Sequence, residues 1–398
     1  MKRRITLGAV ALAALVAAGC GSSNSNTNTS GGSSTSASTS SKKCTASIAI
    51  EGPFTGPVAQ VGLEQLHFAQ LAVANDNQAN GTDVTLAQDD TQLTPSIATS
   101  KTQSIIASNA VASIGPAGSQ EVEAVGPLFG RAGMAFVTGS ATLPALASDG
   151  KNPTFFRVVP DDDIQGPQDA NYAINHLHPK AVMLIDDDEA YSQGLVNVMI
   201  PVFQKAGVKV THLTYNGTDT GATLSGALSS LATKVTPQQT VVVLPWQTAA
   251  NAQQFGLDLK QQGKHVVLIG TDGTDSPSQF KIAGSYVSAF GPDISTSTSA
   301  LDKSVVSGVA KYGPYGPFGV PTYQAADVVM KAISAVCKAG QSPNRADVLA
   351  QIKKTNIPAS ENVLGIPVAF ASNGNLAGSN GYLFKIGPTG TYTEINPK

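Results

Sequence analysis

Charge is scarce and balanced in this chain. Its 398 residues carry 25 Lys and Arg against 27 Asp and Glu, a net charge of −2, and only 13% of side chains are charged. No basic run follows the N-terminus, so neither nucleic acid nor a polybasic membrane contact is expected. The N-terminal apolar run Ile5–Val16 has about a dozen residues, too few to span a bilayer as a mature helix. Catalytic patterns are missing as well. No Gly-x-Ser-x-Gly elbow occurs, and His67, His176, His178, His212 and His265 pair with no nucleophile. His176 and His178 stand two apart at a helix end, on different faces, and Gly263-Lys264 is followed by His265, so the phosphate-loop pattern fails. Neither catalysis nor a metal or cofactor is expected.

Cysteine is nearly absent: Cys20, Cys44 and Cys337. Lys2, Arg3 and Arg4, the short apolar run and Ala17-Ala18-Gly19-Cys20 resemble a bacterial lipoprotein signal over residues 1–20, with Ala17 where Leu is usual. The resemblance implies that Cys20 carries lipid and anchors an extracytoplasmic protein to the cell membrane. Residues 21–43 contain no apolar side chain larger than Ala and cannot offset the entropy of ordering, so they predict a flexible tether with a reach of about 25 Å. With Cys20 lipidated, Cys44 and Cys337 form an even pair in an exported chain and predict a disulfide.

What is present is a long alternation of apolar strands and helical segments. Strands are expected at Ser47–Glu51, Asp83–Ala87, Val111–Gly115, Met134–Thr138 and Phe155–Val159, then at Ala181–Ile185, Lys209–Tyr215, Val241–Leu244, Val266–Ile269 and Tyr286–Phe290. Helical spacing fills the gaps, including Val58–Asn77, Thr94–Ser108, about Gln120–Arg131, Gly166–His178 and Tyr191–Lys205. Further helices are expected near Ala300–Tyr312, Tyr323–Lys338 and Arg345–Lys354, before an antiparallel tail at Val368–Phe370, Tyr382–Ile386 and Thr391–Ile395. The pattern predicts an α/β protein of two lobes, each a mostly parallel sheet with helices on both faces.

Two adjacent loops, Gly115-Pro116-Ala117-Gly118-Ser119 and Thr138-Gly139-Ser140-Ala141-Thr142, leave the carboxyl ends of neighbouring strands, where open α/β sheets bind ligands. Ser119 is expected at a helix N-cap, with free amides pointing outward. Those amides and the positive dipole end suit a carboxylate without Arg or Lys, and Ser140 and Thr142 add hydroxyls. A small anion or zwitterion is the ligand class expected.

With these loops in this order, the chain resembles substrate-binding proteins of the type I periplasmic fold, and more narrowly the branched-chain amino-acid-binding family that serves ABC importers. The resemblance is carried by Gly52-Pro53-Phe54-Thr55-Gly56-Pro57-Val58-Ala59-Gln60, by Ile114-Gly115-Pro116 with Ser119, and by Gly139-Ser140-Ala141-Thr142-Leu143-Pro144. Phe156-Arg157 with Gln165-Gly166, Asp186-Asp187-Asp188 with Tyr191, and Gly194-Leu195 extend it over about Ser47 to Asn396.

The family implies three hinge crossings, here near Pro160, Pro292 and Gly365, giving one lobe of 44–160 plus 293–365 and a second of 161–292 plus 366–398. It implies that Ser119, Ser140 and Thr142 grip the α-carboxylate and α-amino groups, with Phe54 in the first loop. Tyr191 and Asp272 would reach across from the second lobe, Asp272 receiving the ammonium, and Trp246 would supply an aromatic wall, its register uncertain among Trp246, Gln247 and Thr248. Val61 follows Gln60 where the family often has an aromatic. The function implied is a monomeric solute-binding protein that clamps an amino acid or analogue and delivers it to an ABC permease. A receptor subunit of the same fold that reports the ligand to a signalling partner is the alternative.

Overall fold

The computed structural model describes residues 43–379 and 381–395. The lipidation site Cys20 and all of the expected tether but Lys43 lie outside the described residues. The first run of elements is β1 (Thr45–Gly52), α1 (Ala59–Asn80), β2 (Asp83–Asp90), α2 (Pro95–Ala107), β3 (Ala110–Ile114), α3 (Ser119–Arg131), β4 (Ala135–Thr138), α4 (Ala145–Ser148) and β5 (Phe155–Arg157). The five strands make one parallel sheet in the order β2-β1-β3-β4-β5. Every residue of β3 and β4 is buried, because helices cover both faces and leave no strand side for water.

The chain then builds α5 (Asp162–Tyr172), β6 (Ala181–Asp186), α6 (Ala190–Lys205), β7 (Lys209–Thr214), α7 (Gly221–Lys234), β8 (Gln239–Leu244), α8 (Ala249–Gln261), β9 (Val267–Gly270) and β10 (Tyr286–Ala289). It crosses back for α9 (Ala300–Val309), α10 (Gly319–Lys338), α11 (Arg345–Ile352), β11 (Asn356–Ile357) and β12 (Val368–Ala369), and finishes with β13 (Tyr382–Ile386) and β14 (Tyr392–Ile395). The second sheet has seven strands in the order β14-β13-β10-β9-β8-β6-β7, with β13 antiparallel to β10 and to β14. The expected antiparallel tail is therefore present at β13 and β14. The segment around Val368 departs from it, pairing with β11 in a separate two-stranded sheet.

The chain passes from the first sheet to the second after β5 and back after β10. β5 belongs to the first sheet and α5 packs on α6 in the second lobe; β10 belongs to the second sheet, and the next helix, α9, packs on α1. The third crossing does not lie near Gly365. Val368 and Leu376 are buried in the first lobe's core beside Phe156 and Val363, and the Gly374 carbonyl accepts the Arg157 N–H at 3.0 Å. Residues 366–376 thus belong with the first lobe, and the chain crosses between Leu376 and Tyr382. Two apolar anchors, buried rather than turn-forming, hold the segment back.

Cys44 and Cys337 are joined by a disulfide, their Cα atoms 5.9 Å apart, which ties the start of β1 to the end of α10 within the first lobe. Among the described residues, no helix is long and apolar enough to cross a membrane.

Candidate functional site

The loop after β3 turns sharply at Gly115. Its φ is +88°, and a Cβ there would lie 2.3 Å from the Glu51 carbonyl oxygen, so only glycine fits. Helix α3 then starts one residue earlier than expected: Gly118 is its N-cap, and Ser119 is its first residue. The Gly118 N–H donates to Glu121 Oε2 at 2.8 Å, which frees the Ser119 hydroxyl from capping. That hydroxyl instead accepts the Leu143 N–H of the neighbouring loop at 3.3 Å.

The loop after β4 is laced to the first. Thr138 Oγ1 donates to the Pro116 carbonyl at 2.8 Å and accepts the Ser140 N–H at 3.2 Å. Ser140 Oγ donates to the Ala117 carbonyl at 2.8 Å and accepts Gln65 Nε2 at 2.7 Å. Beneath the loop, the fully buried Arg157 donates Nη1 to the Ala141 and Leu143 carbonyls at 3.3 and 3.0 Å and Nε to Asn375 Oδ1 at 2.8 Å. Its Nη2 pairs with Asp161 at 3.3 Å. One guanidinium therefore holds the second binding loop and the 371–376 segment together, using the planar fork that Lys lacks.

Opposite these loops, Asp272 follows β9. Its Oδ1 accepts the Tyr191 hydroxyl at 2.8 Å and Gln165 Nε2 at 2.6 Å. Tyr191 in turn lies 2.6 Å from Thr271 Oγ1 and accepts the Gly273 N–H at 3.0 Å. Gln165 also donates to Ser288, which donates to the buried Asp169 at 2.6 Å. No Lys or Arg among the described residues pairs with Asp272. Burial pushes its carboxyl up to about 6. Its second oxygen accepts no hydrogen bond from the described residues.

Ser119, Ser140, Tyr191 and Asp272 line one cavity of about 40 Å³, with Val58, Val61, Leu93 and Phe318 on its apolar side. The lobes are closed over it. Gln120 on α3 and Gln247 after β8 exchange amide hydrogen bonds of 3.0 and 3.2 Å across the cleft, and Gln60 donates to Ser276 at 2.8 Å. The geometry sets helix-start amides and hydroxyls on one wall against an unneutralised carboxylate on the other.

The sequence profile of the periplasmic binding proteins matches residues 45–391. The chain belongs to that family. A leucine-, isoleucine-, valine-, threonine- and alanine-binding protein of Pseudomonas aeruginosa is 25% identical over 311 residues, covering 75% of this chain and 79% of that one. The Leu/Ile/Val-binding protein of Escherichia coli K12 is 22% identical over 357 residues, covering 87% and 92%. Among solved structures, the leucine-binding protein of Thermotoga maritima superposes with a TM-score of 0.76 at 20% identity, covering 88% of this chain and 98% of its own. A solute-binding protein of Rhodopseudomonas palustris in complex with benzoate reaches 0.73 at 18% identity, covering 88% and 95%.

Within this periplasmic binding protein, three expected site residues do not line the cavity. Trp246 is fully buried in the second lobe's core: its indole N–H donates to the Ile185 carbonyl at 2.6 Å, and its ring packs edge-on against Tyr215 and Phe255. The next residue, Gln247, faces the cleft instead. Phe54 packs its ring over Gly52 while its N–H donates to Asp90 Oδ1 at 2.9 Å, and Pro53 takes the place on the cavity wall. Thr142 is fully buried, its hydroxyl against the Asp162 carboxyl and its carbonyl accepting the Asp162 N–H at 3.1 Å. Its role is to join the second loop to α5.

Two wall residues escape sequence reasoning. Leu93 is held with φ +58° beside Gln92 at +52°, an uncommon conformation for non-glycine residues, and its Cδ1 would meet a Cβ at Gly118 at 2.7 Å. Phe318 stands in the turn before α10, far along the chain from every other wall residue, and no local pattern marks it.

Proposed function

We propose that this chain is the extracytoplasmic solute-binding component of an ABC importer and that its ligand is a free α-amino acid with an apolar side chain. The observation that carries the reading is Asp272: a buried carboxylate that meets no cation, facing Ser119 and the start of α3. An ammonium would complete Asp272, and the ligand's carboxylate would meet the opposing hydroxyls and helix-start amides. The apolar wall of Val58, Val61, Leu93 and Phe318 would receive the side chain. The names of the leucine- and Leu/Ile/Val-binding relatives support the same class.

The role is one of binding and delivery, with no chemical step. Cys20 would anchor the protein by lipid and residues 21–43 would tether it, as a monomer, to the outer side of the membrane that holds its permease. Closure by population shift would present joined lobe rims to that permease.

Asp272→Asn is the direct test. Stripped of carried-over ligand by unfolding and refolding, the variant is expected to bind its amino acid about 2–3 kcal/mol more weakly than the wild type by calorimetry. An unchanged affinity removes Asp272 from the site and with it the amino-acid reading.

A further inference from the structure

A second cavity, of about 570 Å³, opens on the hinge side of the cleft and is separate from the ligand cavity just described. Its walls come from both lobes. Glu64 and Tyr315 belong to the first, Asp275 and Tyr392 to the second, Asp293 sits at the crossing, and Lys281 stands exposed at the rim. Its size is that of a small-molecule site, an order of magnitude larger than the cleft cavity.

Its chemistry is acidic and unbalanced. Glu64 is 5% exposed and accepts Gln60 Nε2 at 2.8 Å and the Phe318 N–H at 3.3 Å. Asp293 accepts the Tyr315 hydroxyl at 3.0 Å. Asp275 is also 5% exposed, yet its carboxylate accepts no hydrogen bond and forms no ion pair among the described residues. A buried acid left without a donor is costly unless something supplies one. Burial and the neighbouring Glu64, Asp272 and Asp293 carboxylates hold the Asp275 carboxyl well above the usual range.

We propose that this hinge-side cavity is a second binding site, for a small organic dication of the diamine class. With all three ionised, Glu64, Asp275 and Asp293 exceed Lys281 by two negative charges, so a dication that enters would ionise the raised Glu64 and Asp275 carboxyls as it binds. Glu64 comes from α1, Asp275 from the loop after β9 and Asp293 from the crossing after β10, and no group of three or more His, Cys, Asp or Glu among the described residues could hold a metal ion. Two ammonium groups on an alkyl stem would let one occupant meet acids that come from different elements of the two lobes. The rings of Tyr315, Tyr392 and Phe384 offer faces for the stem and for cation–π contact. Because Glu64 and Asp275 ride on different lobes, an occupant bridging them favours one lobe arrangement and couples to the cleft by linkage.

The test is a thermal-shift titration of the purified protein with 1,4-diaminobutane, against 1-aminobutane, calcium chloride and sodium chloride at matched ionic strength. A saturable rise with the diamine alone is expected, weakened at least tenfold in Asp275→Asn and tightened several-fold in Lys281→Ala. Asp275→Asn without diamine should melt no lower than the wild type, since it removes an unpaired buried acid. Should that variant fail to fold, Lys281→Ala decides the matter alone. No saturable rise, an equal rise with calcium, a diamine response unchanged in both variants, or one abolished by Asp272→Asn, which would place the amine in the cleft, overturns the proposal.

Discussion

Asp272 concentrates the account into one side chain. Its carboxyl, raised to about 6 by burial, must be ionised to hold an ammonium. Acidification therefore weakens binding. For a carboxyl near 6 that ionises fully on binding, affinity for an amino acid should fall about tenfold between pH 7 and pH 5, measured by calorimetry. Stability of the ligand-free protein moves in the opposite sense through this group. The folded state binds the proton more tightly than the unfolded one, so Asp272's contribution is present below about pH 4 and lost as pH rises through about 6. Glu64, raised to about 7, and the buried Asp162, Asp169 and Asp275 act in the same direction. Ligand-induced stabilisation should thus grow with pH over this range, and a flat profile would contradict an ionised Asp272 in the complex.

At the scale of elements, Arg157 on β5 fastens the second binding loop to the segment that crosses the hinge last. Arg157→Met keeps volume but takes the side-chain donor from the Ala141 carbonyl and from Asn375 Oδ1 and the cation from the partly buried Asp161. It should cost about 3–5 kcal/mol of unfolding free energy in denaturant titrations, and a loss under about 1 kcal/mol would show that the guanidinium is replaceable.

The elements themselves were legible because their periodicity is local: the strands read as apolar runs and α1 as apolar spacing along one side. Ser119 and Ser140 stand out from their loops and Tyr191 and Asp272 from the family resemblance, and all four line the one cavity. What escaped depends on packing across the chain. Trp246 and Gln247 differ by one position at the end of β8, and only the Ile185 carbonyl and the Tyr215 and Phe255 rings decide which of them turns inward. Val368 reads as a tail strand, yet it is held in the first lobe by contacts with residues far upstream. Leu93 and Phe318 reach the cavity from turns that carry no period.

Over the whole molecule, two lobes close on a small cavity while the Cys44–Cys337 bond braces only one of them. The bridge spans a sequence separation of 293, and loop-closure entropy puts its stabilisation at about 6 kcal/mol at most. Reduction should therefore lower the unfolding free energy by up to that amount while leaving ligand affinity within about twofold, because neither cysteine lines the cleft. A large loss of affinity on reduction would mean that the first lobe's loops depend on the brace.

The central claim is that two opposed poles, an acid and a helix start, select a zwitterion. Calorimetric titration of the ligand-free protein with matched pairs, alanine against propionate and leucine against 4-methylpentanoate, tests it most directly. The account predicts that at least one amino acid binds and that its partner without the ammonium does not. Equal binding of both members, or tight binding of benzoate with no response to any amino acid, would contradict it.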